Sequence, residues 1–144
     1  MSQAAEHRRL APAVRRFLEE SGHFAVVATI NPDGTPHQAV TWYLLDGDAV
    51  VLNSKMGRRW PANLLRDARV GVLVADGYRW ASLRGEVVAI HDQRRAHADI
   101  AAMARRYHAG DLAAAERQIR RFETEERVSF VVRPERVAAD LEEQ

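Results

Sequence analysis

Short runs of β-branched and apolar residues, each cut off by turn chemistry, constrain this chain more than any other feature. "HFAVVATI" begins at His23, "PHQAVTWYLL" at Pro36 and "AVVLN" at Ala49. "RVGVLVA" begins at Arg69, "YRWASLRGEVVAIH" at Tyr78 and "RVSFVVRPERV" at Arg127. Such runs are rich in the residues that suit a pleated, half-buried surface. "NPDG" from Asn31 to Gly34 supplies a preset φ and then a permissive backbone, and "DGD" at Asp46–Asp48 and "DG" at Asp76–Gly77 are tight-turn signals. Six mostly antiparallel strands are predicted, the first three as a meander over residues 24–53. Gly85 inside the fifth run predicts a bulge or a close backbone contact, and Pro134 predicts an interruption or end of the sixth.

Elsewhere the period lengthens to that of helices. Leu10, Ala13, Val14, Phe17 and Leu18 recur at helical spacing before Gly22, and Pro61 suits the first turn of a helix whose apolar side is Leu64 and Leu65. Asp92 can cap a helix carrying Ile100, Met103, Ala104 and Tyr107, which Gly110 ends. Asp111 can cap another, with Leu112, Ala115, Ile119 and Phe122 on one face. The pattern is a mainly β chain with helices inserted late, as in a small decorated barrel. At 144 residues it reads as one domain, 1–144, large enough for its own core.

Several chemistries drop out. There is no cysteine, which removes disulfides, thiol catalysis and cysteine-ligated zinc. The six histidines form no compact ligand set, and no nucleophile elbow, Walker loop or dinucleotide fingerprint occurs, so no metal and no catalytic side chain are assigned. The net charge of +1 argues against nucleic acid as a partner. No stretch approaches the roughly 20 apolar residues of a membrane span, and the N-terminal "MSQAAEHRRLAPAVRRFLEE" lacks a signal-peptide core, so a soluble, cytoplasmic protein is expected.

One stretch is out of balance. "NSKMGRRWPANLLRDARV", Asn53 to Val70, holds Lys55, Arg58, Arg59, Arg66 and Arg69 against Asp67 alone, and Lys55 is the chain's one lysine. It leaves a strand and enters a helix, a junction where unpaired N–H groups and the helix dipole favour an anion. Ser54 adds a hydroxyl, and arginine adds bidentate geometry suited to phosphate or carboxylate. The stretch is either such a seat or a solvated basic loop. Trp42, Tyr43, Trp60, Tyr78 and Trp80 fall in or beside the strands and are either core filling or the walls of a flat-ring pocket.

Four segments together carry a family likeness: "VVATINPDGTPHQAVTWYLLDGD", "NSKMGRRWPANLLRDARVGVLV", "YRWASLRGEVVAI", and "AHADIAAMARRYHAGD" with "RVSFVVRPERV". In order and spacing they resemble the flavin/deazaflavin oxidoreductases of the pyridoxamine 5′-phosphate oxidase-like, split β-barrel superfamily, and within it the branch that uses coenzyme F420. The resemblance implies a six-stranded antiparallel split barrel and a homodimer with cofactor sites at the interface. It implies that Asn53, Ser54, Lys55, Arg58, Arg59 and Asn63 hold the cofactor's phosphate or acidic tail. Gln38, Val40 and Trp42 would lie beside the ring system, with Tyr78 and Trp80 closing the pocket. Trp60 stands where many members have lysine, and Asp67-Ala68-Arg69 replaces a common Asp-Pro-Arg. The implied activity is hydride transfer between reduced deazaflavin and a small organic substrate, with Tyr43 or solvent as candidate proton donor. FMN in the same fold is the alternative cofactor, and a non-catalytic flavin or deazaflavin carrier the alternative class.

Overall fold

A computed structural model describes residues 9–142. The order is α1 (Pro12–Glu20), β1 (Ala25–Ile30), β2 (Pro36–Thr41), β3 (Leu44–Asp46), β4 (Ala49–Lys55), α2 (Arg59–Arg66), β5 (Arg69–Asp76), β6 (Arg79–Ile90), α3 (Gln93–Tyr107), α4 (Leu112–Phe122) and β7 (Arg127–Asp140). Local chemistry accounts for most boundaries. The Asp92 carboxylate accepts the backbone N–H groups of Arg94 and Arg95, and that of Asp111 accepts the N–H of Ala114, as N-caps do.

All strands form one antiparallel sheet in the order β2-β1-β5-β6-β7-β4-β3. The strands number seven rather than the six expected. "PHQAVTWYLL" is not one strand: it breaks at Trp42 and Tyr43 into β2 and β3. Tyr43 turns fully into the core, where its hydroxyl donates to the Leu18 carbonyl at 2.6 Å. The expected meander is replaced as well. β1 pairs with β2 and β3 with β4, but β2 and β3 lie at opposite edges of the sheet.

That arrangement forces closure. Seven strands laid flat would put the two edges about 29 Å apart at ~4.8 Å per neighbour. Thr41 and Leu44 are joined through two residues, which reach at most about 11 Å. The sheet therefore curls until its edges approach, leaving the split between β2 and β3. Inside the curl lie Val27, Val50, Leu52, Val72, Val74, Leu83, Val128, Phe130 and Val132, all essentially buried. α1 adds Val14, Phe17 and Leu18 to this core. A second, smaller cluster forms where α3 sets Ile100 and Met103 on Val51 of β4, beside Trp42 and Phe122.

Gly85 and Pro134 explain each other. They are register partners at the one irregularity of the β6–β7 ladder. A Cβ on Gly85 would stand 2.7 Å from the Arg133 carbonyl oxygen. The proline, lacking an N–H, sits at the bulge instead of ending β7, which runs on to Asp140.

Candidate functional site

The end of β4 is fixed by its ladder with β7, which pairs Asn53 with Ser129 and Lys55 with Arg127. Asn53 is a buried strut. Its amide donates to the Ala96 carbonyl at 2.8 Å and to the Ser129 hydroxyl at 2.9 Å, and its carbonyl oxygen accepts from Arg127 Nε at 2.8 Å. Ser129 in turn donates to Asp99 at 2.7 Å, and Arg95 braces that carboxylate at 2.9 Å. A continuous polar chain thus runs from α3 through β7 and β4 to Arg127.

Arg127 is the centre of this site, although in the linear sequence only its place at the start of the last strand sets it apart from the other arginines. It is only 5% exposed. Its guanidinium donates to Glu125 at 2.7 Å and lies over the Phe122 ring at 4.6 Å. Burial pulls its pKa below the usual arginine range, against the opposing pull of Glu125. Lys55 approaches the other Glu125 oxygen at 4.0 Å.

A cleft of about 390 Å³ opens onto these groups. Phe24, Val40, Thr41 and Trp42 form one flank; Asn53, Arg58 and Arg127 lie along the β4–β7 side; Ile100, Gln118, Arg121, Phe122 and Glu125 come from α3, α4 and the turn after it. Trp42 is held by stacking on Tyr107, with centroids 5.2 Å apart and planes 7° from parallel. Phe122, in the helix-side wall, meets Trp42 edge-on with centroids 6.3 Å apart. Burial pushes the Tyr107 hydroxyl up to about 12, so it stays neutral while donating to the His23 carbonyl at 2.8 Å.

Of the residues expected at a cofactor site, the cleft brings together Val40, Trp42, Asn53 and Arg58. Gln38 is exposed on β2, two residues from Val40 on the same face. Ser54 is buried and donates to the Lys55 carbonyl at 2.9 Å. Arg59 is exposed at the first position of α2. Asn63 is buried and ties α2 to the first hairpin, donating to Thr29 at 3.0 Å and Asn31 at 3.1 Å. Tyr78 sits exposed at the β5–β6 turn, and Trp80, half-buried on β6, pairs with Ala75 and Asp140; neither lines the cleft. Tyr43, a candidate proton donor, lies in the core and does not line it either. Gln118, Arg121, Phe122 and Arg127 escaped the sequence reading. The one signal for Arg127 was its place at the start of the last strand, beside the end of the basic stretch once the two strands pair.

No group of three or more metal-ligating side chains occurs among the described residues, and none of their helices is long and apolar enough to cross a membrane. The cleft combines aromatic walls with three guanidinium groups, which suits a ligand with a flat ring and an anionic arm.

Comparison with known proteins agrees on the architecture. A conserved hypothetical protein from Mycobacterium tuberculosis superposes with a TM-score of 0.78 at 23% identity, over 98% of this chain and 90% of that one. A structure described as an F420 reductase superposes with a TM-score of 0.70 at 24% identity, over 90% of this chain and 98% of that one. The heme storage protein HutZ from Vibrio cholerae shares the fold at a TM-score of 0.63 and 16% identity, over 93% and 95% of the two chains. No curated protein sequence matches. The family model described as pyridoxamine 5′-phosphate oxidase matches residues 10–139, nearly the whole chain, and by that match the chain belongs to the pyridoxamine 5′-phosphate oxidase family of split β-barrels.

Proposed function

We propose that the chain is an oxidoreductase that binds coenzyme F420 in the Arg127 cleft and uses it on a small organic substrate. The observation that carries this reading is the convergence of Arg58, Arg121 and the buried Arg127 on one aromatic-walled cleft. A buried guanidinium is costly to desolvate, and one kept in place by Asn53, Glu125 and Phe122 is pre-organised for an anion. Arg58 and Arg121 would hold the phosphate and the acidic tail, and Trp42 and Phe122 would flank the ring. Bound there, the deazaflavin supplies a hydride to an unsaturated substrate. The protein's part is to bind, orient and exclude water; no side chain on the cleft need act as a nucleophile.

FMN is the second reading, because it too joins a phosphate to a tricyclic ring. The acidic tail of F420 favours a surplus of cations at the rim, and Arg58 and Arg59 are both exposed there without an ion-pair partner among the described residues. A homodimer belongs to the same proposal. Phe24 and Val40, which line the cleft, are 55% and 65% exposed in the single chain and would be covered by a second copy.

The deciding experiment is a paired titration of cofactor-free protein with F420 and with FMN at low and moderate salt. Tight, salt-sensitive F420 binding with weak FMN binding is expected. A preference for FMN would move the protein to the flavin-dependent reading, and binding of neither would remove the cleft as a cofactor site. Binding of F420 without turnover over a broad substrate panel would point to a carrier.

A further inference from the structure

One acid stands among the arginines of the Arg127 cleft. Glu125 is the only carboxylate among the described residues that line it, beside Arg58, Arg121 and Arg127. A fixed negative charge on the wall of an anion site opposes the ligand, because like charges placed together repel. Yet Glu125 sits directly on the cations. One of its oxygens accepts from Arg127 Nη1 at 2.7 Å, and the other lies 4.0 Å from Lys55 Nζ.

The placement of Arg127 does not rest on Glu125 alone. Its Nε donates to Asn53 at 2.8 Å, and its guanidinium lies over the Phe122 ring at 4.6 Å. The main chain of Glu125 is fixed as well. Its N–H donates to the Phe122 carbonyl at 3.0 Å, and its carbonyl accepts from His97 Nε2 at 2.8 Å. Rotation about the side-chain bonds of Glu125 is therefore enough to take the carboxylate off Arg127 while backbone and guanidinium stay in place. The side chain is 20% exposed, which gives it a path to solvent. A carboxylate and a phosphoryl group offer a guanidinium the same kind of acceptor oxygens, so one can stand where the other stood.

We propose that Glu125 is a built-in counter-anion of the cleft, which occupies the oxyanion seat on Arg127 and Lys55 until the phosphoryl group of a ligand displaces it. The inference rests on the reading of this cleft as an anion site, and it adds the residue that sets how strongly an anion must bind to enter. Glu125 compensates the buried guanidinium when no ligand is bound. Binding is then an exchange of one anion for another on Arg127.

The test is calorimetric titration of the full chain with inorganic pyrophosphate and with F420, in buffer holding no other phosphate, for the parent, Glu125→Gln and Glu126→Gln. Glutamine at position 125 keeps an acceptor for Arg127 and removes the charge. Glu125→Gln should bind both ligands about tenfold more tightly than the parent, since the competing carboxylate is gone. Glu126 is exposed and does not line the cleft. Its change to glutamine removes the same charge one residue away and should alter affinity by less than about threefold, because solvent screens it. Without ligand, Glu125→Gln should melt below the parent, as the Arg127 charge has lost its counter-charge. Saturating pyrophosphate should then raise its melting temperature by more than it raises the parent's. Unchanged or weaker pyrophosphate binding in Glu125→Gln would overturn the proposal and leave Glu125 as a strut for Arg127. An equal gain in Glu126→Gln would overturn it too, by reducing the effect to overall charge. Pyrophosphate binding by none of the three proteins would overturn it together with the anion site. Tighter pyrophosphate binding in Glu125→Gln, with F420 bound by none of the three, would uphold the counter-anion and remove only the cofactor reading. F420 bound equally by the parent and Glu125→Gln would do the reverse.

Discussion

Asn53 and Arg58 lie five positions apart in one basic stretch, and their tasks are opposite. Asn53 makes three buried hydrogen bonds and holds the Arg127 guanidinium through one of them. Its replacement by alanine leaves the buried Arg127 Nε without its acceptor, although Glu125 still pairs with that guanidinium, so Asn53→Ala should cost about 1–3 kcal/mol of stability by urea denaturation. Arg58 is exposed, and Arg58→Ala should stay within about 0.5 kcal/mol of the parent while weakening cofactor binding roughly tenfold, the loss of one charge-assisted contact. Equal loss of stability and affinity on Arg58→Ala would make the loop structural. Tyr107 gives a pH signature. Its burial raises the folded-state pKa to about 12, whereas in the unfolded chain it titrates near 10. The folded state holds the proton more tightly, so the stability linked to Tyr107 is whole below pH about 10 and is lost as pH rises through about 12. Urea midpoints measured from pH about 9 to about 11.5 should fall less steeply in Tyr107→Phe than in the parent.

At the scale of elements, the bulge joining β6 to β7 makes the sharpest prediction. Gly85→Ala drives a Cβ onto a backbone carbonyl 2.7 Å away, with no flexible atom to yield. It should lower stability by roughly 1–3 kcal/mol in thermal unfolding. Gly71→Ala is the control, since its Cβ would meet only the Ala28 methyl at 3.6 Å, an ordinary contact. The bulge was legible in advance, as were the Asp92 and Asp111 caps, because each is written in residues adjacent in the chain. Strand order was not legible. The break at Trp42–Tyr43 is imposed by distant partners: Leu18 takes the Tyr43 hydroxyl, Tyr107 stacks on Trp42, and Arg106 lies over the Tyr43 ring at 4.6 Å. In sequence these two aromatics simply continue a strand. The candidate site divides along the same line. Arg58 stood out by local charge, whereas the internal hydrogen bonds of Asn53 and Asn63 are made to residues distant in the chain and could not be read there. Phe122 read only as one more residue on the apolar face of α4, yet it supports Arg127 from 4.6 Å.

At the scale of the whole molecule, the outer face of the sheet carries more apolar surface than a single chain has use for. Val40, Val26 and Leu73 follow one another across β2, β1 and β5, and Val40 and Leu73 are 65% and 39% exposed. Phe24 extends this surface at the start of β1, and it shares the rim of the Arg127 cleft with Val40. A second copy docked on this face would therefore bury the apolar row and wall the cleft in one contact. Leu73 separates the two effects, because it belongs to the row but does not line the cleft. In a two-fold contact each substitution enters twice, so Leu73→Glu places two carboxylates in the apolar centre. The expected outcome is a monomer by sedimentation at concentrations where the parent is dimeric. Its melting temperature extrapolated to low concentration should match the parent's, since the side chain is already partly exposed and its loss leaves the barrel core intact. F420 affinity should fall together with dimerisation and recover at protein concentrations high enough to restore the dimer. A Leu73→Glu variant that stays dimeric would move the interface to another face. One that becomes monomeric yet binds F420 as the parent does would place the whole cofactor site within a single chain.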